Sequence, residues 1–358
     1  MEAMACARID CDVLVVGAGP AGGSAAFETA SKGLDVVILE KRRQVGLPVR
    51  CAEYIPSQLV REVNLPAHIK IQKIEAMQTH MPDGEVVTTR SPGFIIDRDQ
   101  FDKYLVQRAT SKGARLFLET KAVSYDGQTV LARIRGRALR ISPKIIIGAD
   151  GPLSTIGSWI KSTNREFIQA AQYVMRLREK KTHTQVYFSQ DIPGGYGWVF
   201  PKGDVANVGI GVDPGLGKRP KAALDSFVSR LVGEGVVEPE VLKKTGGLIP
   251  SGGLLKLCRK NIALAGDAGG LVHPITGAGI ASAVSSGKLA GGFAWRAIAE
   301  DDIRLLAEYE LECSEFFFDI FAAARAKKTL LKEYWQRGTH DLCEALKWGW
   351  VAFREYYK

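Results

Sequence analysis

The glycines of Gly17-Ala18-Gly19-Pro20-Ala21-Gly22 follow a short apolar run, Cys11–Val16, and open an alanine-rich segment, Pro20–Lys32. In a strand–turn–helix setting each has its own task. Gly17 permits the tight turn, Gly19 lets the backbone approach a pyrophosphate, and Gly22 lets helix and strand pack closely. Pro20 and Ala21 start the helix, whose free N–H groups and dipole favour an anion. A second apolar run, Asp35–Glu40, ends on Glu40, about 20 residues beyond the glycines, where a carboxylate accepts from ribose hydroxyls. Lys41 is placed to flank the adenosine. An acid at that position argues against a 2′-phosphate. The set predicts a dinucleotide site; a bare glycine-rich turn is the alternative, and it leaves the strand, the helix and Glu40 unexplained.

A second group lies far along the chain. Ile262–Asp267 is an apolar run ending in Gly266-Asp267, and Pro274-Ile275-Thr276-Gly277-Ala278-Gly279-Ile280 reads as a second helix start. Its glycines would let a flat ring approach the backbone. Between the two groups stands Gly148-Ala149-Asp150-Gly151. In this order the three elements resemble the large family of FAD enzymes with a glutathione-reductase-type flavin domain. The resemblance implies non-covalently bound FAD. It places Asp267 on the ribityl chain with Gly266 beside it, and Pro274, Gly277, Ala278, Gly279 and Ile280 along the pyrophosphate and isoalloxazine edge. It also assigns Asp150, Gly151, Ala122 and Val123 to the cofactor.

Tyr196-Gly197-Trp198-Val199-Phe200-Pro201-Lys202, Pro48-Val49-Arg50-Cys51-Ala52-Glu53 and Asp97-Arg98-Asp99-Gln100-Phe101-Asp102 resemble segments of the geranylgeranyl reductase family, over about residues 10–300. Where aromatic hydroxylases of this fold usually carry an arginine, this chain has Gly157. The resemblance implies an FAD-dependent reductase that saturates polyprenyl double bonds by hydride transfer from flavin N5, with Arg50, Cys51, Ala52 and Arg98 near the flavin. Residue chemistry agrees. Alternation puts Tyr196, Trp198 and Phe200 on one strand face, where aromatic rings can line a prenyl tunnel and stabilise positive charge developing on carbon. Cys51, Tyr196 and Trp198 are the candidate catalytic residues; Tyr196, Trp198, Phe200, Pro201 and His273 are the candidate substrate contacts. Plain sheet core is the alternative for the rings, and a small buried residue that for Cys51. Competing functions are a flavin monooxygenase or halogenase, and a non-catalytic prenyl-binding protein. No second dinucleotide fingerprint occurs, so the electron donor is expected to be external, ferredoxin or NAD(P)H.

These residues need a scaffold. The 358 residues, 46% hydrophobic and 24% charged, suit a soluble globular protein of two or three domains. The expected fold is α/β: a Rossmann-type FAD-binding domain, an inserted antiparallel β-sheet substrate domain and a C-terminal helical segment. The expected parts are residues 1–71, 97–165 and 250–300 for the cofactor domain, 72–96 and 166–249 for the substrate domain, and 301–358 for the helical region. Asp97–Gly113 reads as a helix capped by Asp97 with Gln100 in a capping box. Lys121–Tyr125, Thr129–Ile134, Ala138–Ser142 and Lys144–Gly148 read as separate short strands. Arg133, Arg135 and Arg137 read as a solvated hairpin face. The net charge of +9 favours an anionic partner, yet the basic residues are too dispersed for nucleic acid.

Six scattered cysteines, Cys6 among them, read as reduced thiols, and five unpaired histidines give no metal site. Met1–Asp10 does not read as a signal peptide, so a cytoplasmic protein is expected, with membrane-surface contact as an option. For that contact Arg325, Lys327, Lys328, Lys332, Trp335, Trp348, Trp350 and Phe353 are candidates, a helical cap or dimer contact being the other reading.

Overall fold

The computed structural model describes residues 7–217, 219–335, 337 and 339–358; Cys6 and most of Met1–Asp10 lie outside them. Near the N-terminus the Val/Ile/Leu runs form a parallel sheet. Its central strands, Ala7–Val16 and Arg137–Gly148, pair in parallel, with Val36–Leu39 and Arg115–Phe117 on one side and Ile262–Leu264 on the other. Both faces are covered, so consecutive residues such as Val13, Leu14 and Val15, and Ile145 and Ile146, are fully buried. That is why these strands read as continuous apolar runs. In register, Val16 is level with Leu39 and Gly148, and Gly148 with Leu264. The turns that follow four strands therefore converge at one edge, the place where open α/β sheets bind ligands.

Two expectations need correction here. Ala138–Ser142 and Lys144–Gly148 are one strand, Arg137–Gly148, despite Pro143. The proline falls after the last pair with Val130–Ile134, at Ile141, and before the first with Ile262–Leu264, at Ile146, so no ladder on that side loses a donor. Asp97 does precede the helix Arg98–Thr110, but its side chain makes no capping bond. It lies 3.5 Å from Lys202 instead, while Gln100 donates to Asp99. Arg133, Arg135 and Arg137 are exposed, as expected.

The helix Pro20–Ala30 is gripped between Arg98–Thr110 and Ile280–Ala299. Glycine makes both contacts close. A Cβ on Gly23 would lie 2.8 Å from Leu105 Cβ, and one on Gly287 would lie 2.2 Å from the Ala21 carbonyl oxygen.

The second sheet has eight strands, ordered Val237–Pro250, Phe167–Leu177, Val205–Val212, Tyr196–Lys202, His183–Tyr187, Lys70–His80, Val86–Ile96 and Tyr54–Pro56. It is mixed, not wholly antiparallel, because His183–Tyr187 runs parallel to Lys70–His80. One face, carrying Val199, Val208 and Ile210, packs on the helix Pro220–Gly233. The other carries Tyr196, Trp198 and Phe200, with Tyr196 and Phe200 packed toward the C-terminal helices Leu306–Tyr334 and Thr339–Gly349. The neighbouring strand makes room for the indole. A Cβ on Gly209 would lie 2.3 Å from the Trp198 ring.

Candidate cofactor and substrate site

At the sheet edge the three motif glycines separate by role. Gly17 has φ of +105°, and a Cβ there would lie 2.2 Å from the Ala149 carbonyl oxygen; on Gly22 it would lie 1.8 Å from that of Gly17. Both are required by the protein's own packing. A Cβ on Gly19 would meet nothing within 4 Å, so its bareness serves no protein contact and leaves the helix mouth open. Glu40 is fixed alongside, accepting from the N–H of Ala18 at 3.0 Å and of Arg42 at 2.9 Å. The strand Thr120–Tyr125 is tied to the same loop by the Thr120 N–H to Glu40 carbonyl bond, with Ala122 buried and Val123 exposed at an irregularity in its pairing. Lys41 is exposed and lines an open cleft with Arg42 and Arg43.

Asp150 is used within the protein. Its carboxylate accepts from the Ser154 hydroxyl at 2.5 Å and the Thr155 N–H at 2.6 Å, holding the start of the short helix Thr155–Trp159 next to Gly151. In that helix a Cβ on Gly157 would lie 2.3 Å from the Ser162 carbonyl oxygen, so the site has no room for an arginine. Asp267 differs from Asp150. Among the described residues no side chain donates to its carboxylate, and burial pushes its pKa up while Arg98 pulls it down. A desolvated carboxylate bonded only by its own backbone N–H costs free energy until a further donor is supplied. Gly266, with φ of +61°, starts this turn, and its N–H donates to Ser286 at 3.0 Å. The loop from Pro274 through Ala278 is closed by Gly277 N–H to His273 and His273 N–H to Ala278 carbonyl bonds. Gly279, against Asp267, then leads into the helix beginning at Ile280.

Cys51 belongs to a segment held by a buried polar network. Gln172 donates to the Cys51 carbonyl oxygen at 3.1 Å and accepts from the Trp198 indole at 3.0 Å. Asn207 donates to the Ala52 carbonyl oxygen and to Glu53, whose carboxylate also takes both bonds from Lys202 at 2.9 Å. Arg50 is exposed over Gly247. Arg98 is bonded to Asp102 at 2.8 Å; burial opposes its charge, but the Asp102 carboxylate outweighs that and raises its pKa. Burial pushes the Cys51 thiol up, against the pull of Arg98 and the Glu53 N–H, so it is protonated at neutral pH. Burial likewise raises the Tyr196 phenol, which donates to the Thr276 carbonyl oxygen in the loop after Pro274.

Between this loop, the aromatic sheet face and the C-terminal helices lies a narrow cavity of about 40 Å³. Tyr196, Trp198, Ile168, Ile249 and Pro274 line it from the sheet and loop; Leu331, Trp335 and Trp350 close it from the helices. Not every expected contact reaches it. Phe200 packs on Tyr54, Pro201 points to the opposite sheet face, and His273 bonds to Thr276 N–H and Tyr356 beside Phe321. His273 thus braces the loop against the C-terminal helices, and burial lowers its pKa to about 4.

The sequence reading missed Glu53, Gln172, Asn207 and Lys202, although polar side chains at inward strand positions signal a network. For Trp335, Trp350 and Lys328 it left lipid contact and a helical cap both open. Their exposures are 8%, 2% and 7%, so for these three the helical cap is the correct reading. No group of three or more side chains fit for a metal occurs, and no helix is long and apolar enough to cross a membrane, among the described residues.

The open mouth at Gly19, Glu40 beside it and Asp267, which no side chain among the described residues bonds, fit the pyrophosphate, ribose and ribityl hydroxyls of FAD. The family model described as an FAD binding domain matches residues 10–323. A digeranylgeranylglycerophospholipid reductase from Methanocaldococcus jannaschii is 33% identical, covering 94% of this chain and 90% of that one. The structure of a geranylgeranyl bacteriochlorophyll reductase-like protein from Thermoplasma acidophilum superposes with a TM-score of 0.83 at 26% identity, covering 96% and 97% of the two chains. A flavin-dependent brominase shares the fold alone, with a TM-score of 0.73 at 16% identity over 96% of this chain and 90% of that one. The chain belongs to the geranylgeranyl reductase family of FAD-dependent oxidoreductases.

Proposed function

We propose that this protein saturates carbon–carbon double bonds in the polyprenyl chain of an isoprenoid lipid. The observation that carries the reading is the aromatic cavity, which begins at the Pro274–Gly277 loop and is walled by Tyr196, Trp198, Trp335 and Trp350. Its free volume of about 40 Å³ is below the ~300–1,000 Å³ of occupied small-molecule sites, so a prenyl chain enters by moving the C-terminal helices off the sheet face. At ~0.8 kcal/mol per buried CH₂, a chain of four isoprene units brings on the order of 10 kcal/mol gross, enough to position an alkene that has no polar handle of its own. Bound FAD supplies the hydride. The chain's part is to exclude water, to hold the alkene against the aromatic wall, and to present a proton from Cys51 or Tyr196, both kept protonated by burial.

An external donor of the ferredoxin or NAD(P)H class reloads the cofactor. Membrane-surface contact supplies the lipid, a reading supported by the exposed Leu311, Phe316, Phe318, Ile320 and Leu330 of the helix Leu306–Tyr334.

The test mixes dithionite-reduced holoenzyme anaerobically with a geranylgeranyl lipid and follows flavin reoxidation together with product mass. A gain of two hydrogens per double bond, lost in Trp198→Ala, is expected. Reoxidation by oxygen alone, with a hydroxylated or halogenated product, overturns it.

A further inference from the structure

We propose that Lys328 is an anion subsite, which takes a phosphate carried by the polyprenyl substrate at the helix-side wall of the cavity. The proposal rests on the reductase reading and adds the charge of the substrate to it. On the helix Leu306–Tyr334, Phe317, Phe321, Ala324, Lys328 and Leu331 recur at intervals of three and four, which makes one stripe facing the protein. Four of the five are apolar. The fifth is a lysine with 7% exposure, and it lines the cavity between Leu331 and the Gly194–Gly195 turn. A buried ammonium in an apolar wall is costly unless paired.

Its surroundings show why it is available. Arg325 and Lys332 flank it on the same helix, and each already has a carboxylate: Arg325 pairs with Glu166 and Lys332 with Asp213. Those four groups are the charged neighbours that act on Lys328. Lys328 itself makes no hydrogen bond or ion pair among the described residues. Its pKa is lowered to about 8, by burial first and by Lys332 next; Asp213 and Glu166 pull the other way but are engaged by Lys332 and Arg325 and do not offset it. It is also the only charged side chain lining the cavity among the described residues. The ligand that completes it is therefore apolar along its length and anionic at one end. A phosphate fits a lysine's compact point charge. Two sources share that chemistry, a prenyl diphosphate and the phosphate of a prenylated glycerol.

The experiment measures equilibrium binding to oxidised, FAD-loaded protein by calorimetry, so it does not depend on turnover. The probes are geranylgeranyl diphosphate, geranylgeranylglyceryl phosphate and uncharged geranylgeraniol. Wild type is expected to bind at least one anionic probe tenfold or more tightly than geranylgeraniol. Lys328→Met is expected to lose at least tenfold for that probe, Lys328→Arg no more than about threefold, and neither to change geranylgeraniol binding. Whichever anionic probe shows the larger loss identifies the phosphate source. Equal losses for all three probes indicate a packing role and overturn the proposal, as does wild-type protein that binds geranylgeraniol as tightly as the anions. The wild-type comparison stands even if Lys328→Met fails to fold. Tight, Lys328-dependent binding with no prenyl reduction overturns the reductase reading and leaves the subsite; reduction indifferent to charge does the reverse.

Discussion

Two carboxylates at the sheet edge have opposite circumstances. Glu40 is held by the backbone N–H groups of Ala18 in the glycine turn and of Arg42, whereas Asp267 has no donor from another residue among the described residues. Asp267→Ala is therefore expected to weaken FAD retention by roughly 1.5–3 kcal/mol, the worth of a charge-assisted hydrogen bond. Glu40→Ala is expected to weaken retention and also to loosen the Ala18 turn, so it should lower the melting temperature of the apoprotein where Asp267→Ala does not. Flavin absorbance after dialysis and apoprotein melting curves separate the two. Full flavin occupancy in both variants would show that neither carboxylate holds the cofactor. Asp150, placed with the cofactor by sequence, instead caps Thr155–Trp159, and its alanine variant should act through stability.

At the scale of elements, what was legible is what local pattern determines. The strand–turn–helix at Gly17–Gly22, the strand that leads to Glu40, the turn at Gly266-Asp267 and the alternation of Tyr196, Trp198 and Phe200 lie where the local pattern puts them, because each is settled within a few residues. The strand Val237–Pro250 and the cavity walls were not. The former lies at a sheet edge, and its burial does not alternate. The walls Phe188, Leu331, Trp335 and Trp350 come together only through tertiary packing of distant helices. The Pro274–Ala278 loop shows what such packing does. His273 accepts from Thr276 N–H and meets Tyr356, which joins the loop to the chain's last turn. Its pKa is lowered to about 4, so the stability it confers is complete above its unfolded value of ~6.5 and is lost as pH falls toward 4. Between pH 6.5 and 5 that loss is about 2 kcal/mol. Urea midpoints should fall more steeply over this interval for wild type than for His273→Asn; parallel slopes would show that the imidazole is protonated in the folded protein. A Gly287→Val variant tests the contact with Ala21. Overpacking of this kind typically costs about 1–3 kcal/mol, and because Ala21 belongs to the anion-binding helix, flavin occupancy should fall with it.

The whole molecule is joined where the Cys51 segment, which follows the nucleotide loop, meets the second sheet. Glu53 is the hub. It has φ of +71° and a side chain with 4% exposure, and it binds Lys202, Asn207 and the Arg98 N–H from three different elements. A buried pair of this kind adds little over an apolar replacement, but removing one partner leaves an uncompensated charge that costs about 3–5 kcal/mol. Lys202→Met is therefore expected to destabilise the protein by that amount, while Lys73→Met, which breaks an exposed 3.9 Å pair with Glu75, should cost less than about 1 kcal/mol. Adding Glu53→Gln to Lys202→Met should recover part of the loss, since the amide can still bond to Asn207 without a buried charge. The same network fixes the Cys51 and Ala52 carbonyls and, through Gln172, the Trp198 indole. Lys202→Met should accordingly lower the rate of prenyl reduction even under conditions where the variant is fully folded and flavin-loaded. Urea unfolding gives the stability cycle, and single-turnover reoxidation gives the rate. Wild-type rates in a folded, destabilised Lys202→Met variant would confine the network to stability; a rate that falls with it would mean that one buried ion pair both fastens the Cys51 segment to the second sheet and aligns the cavity wall with the cofactor edge.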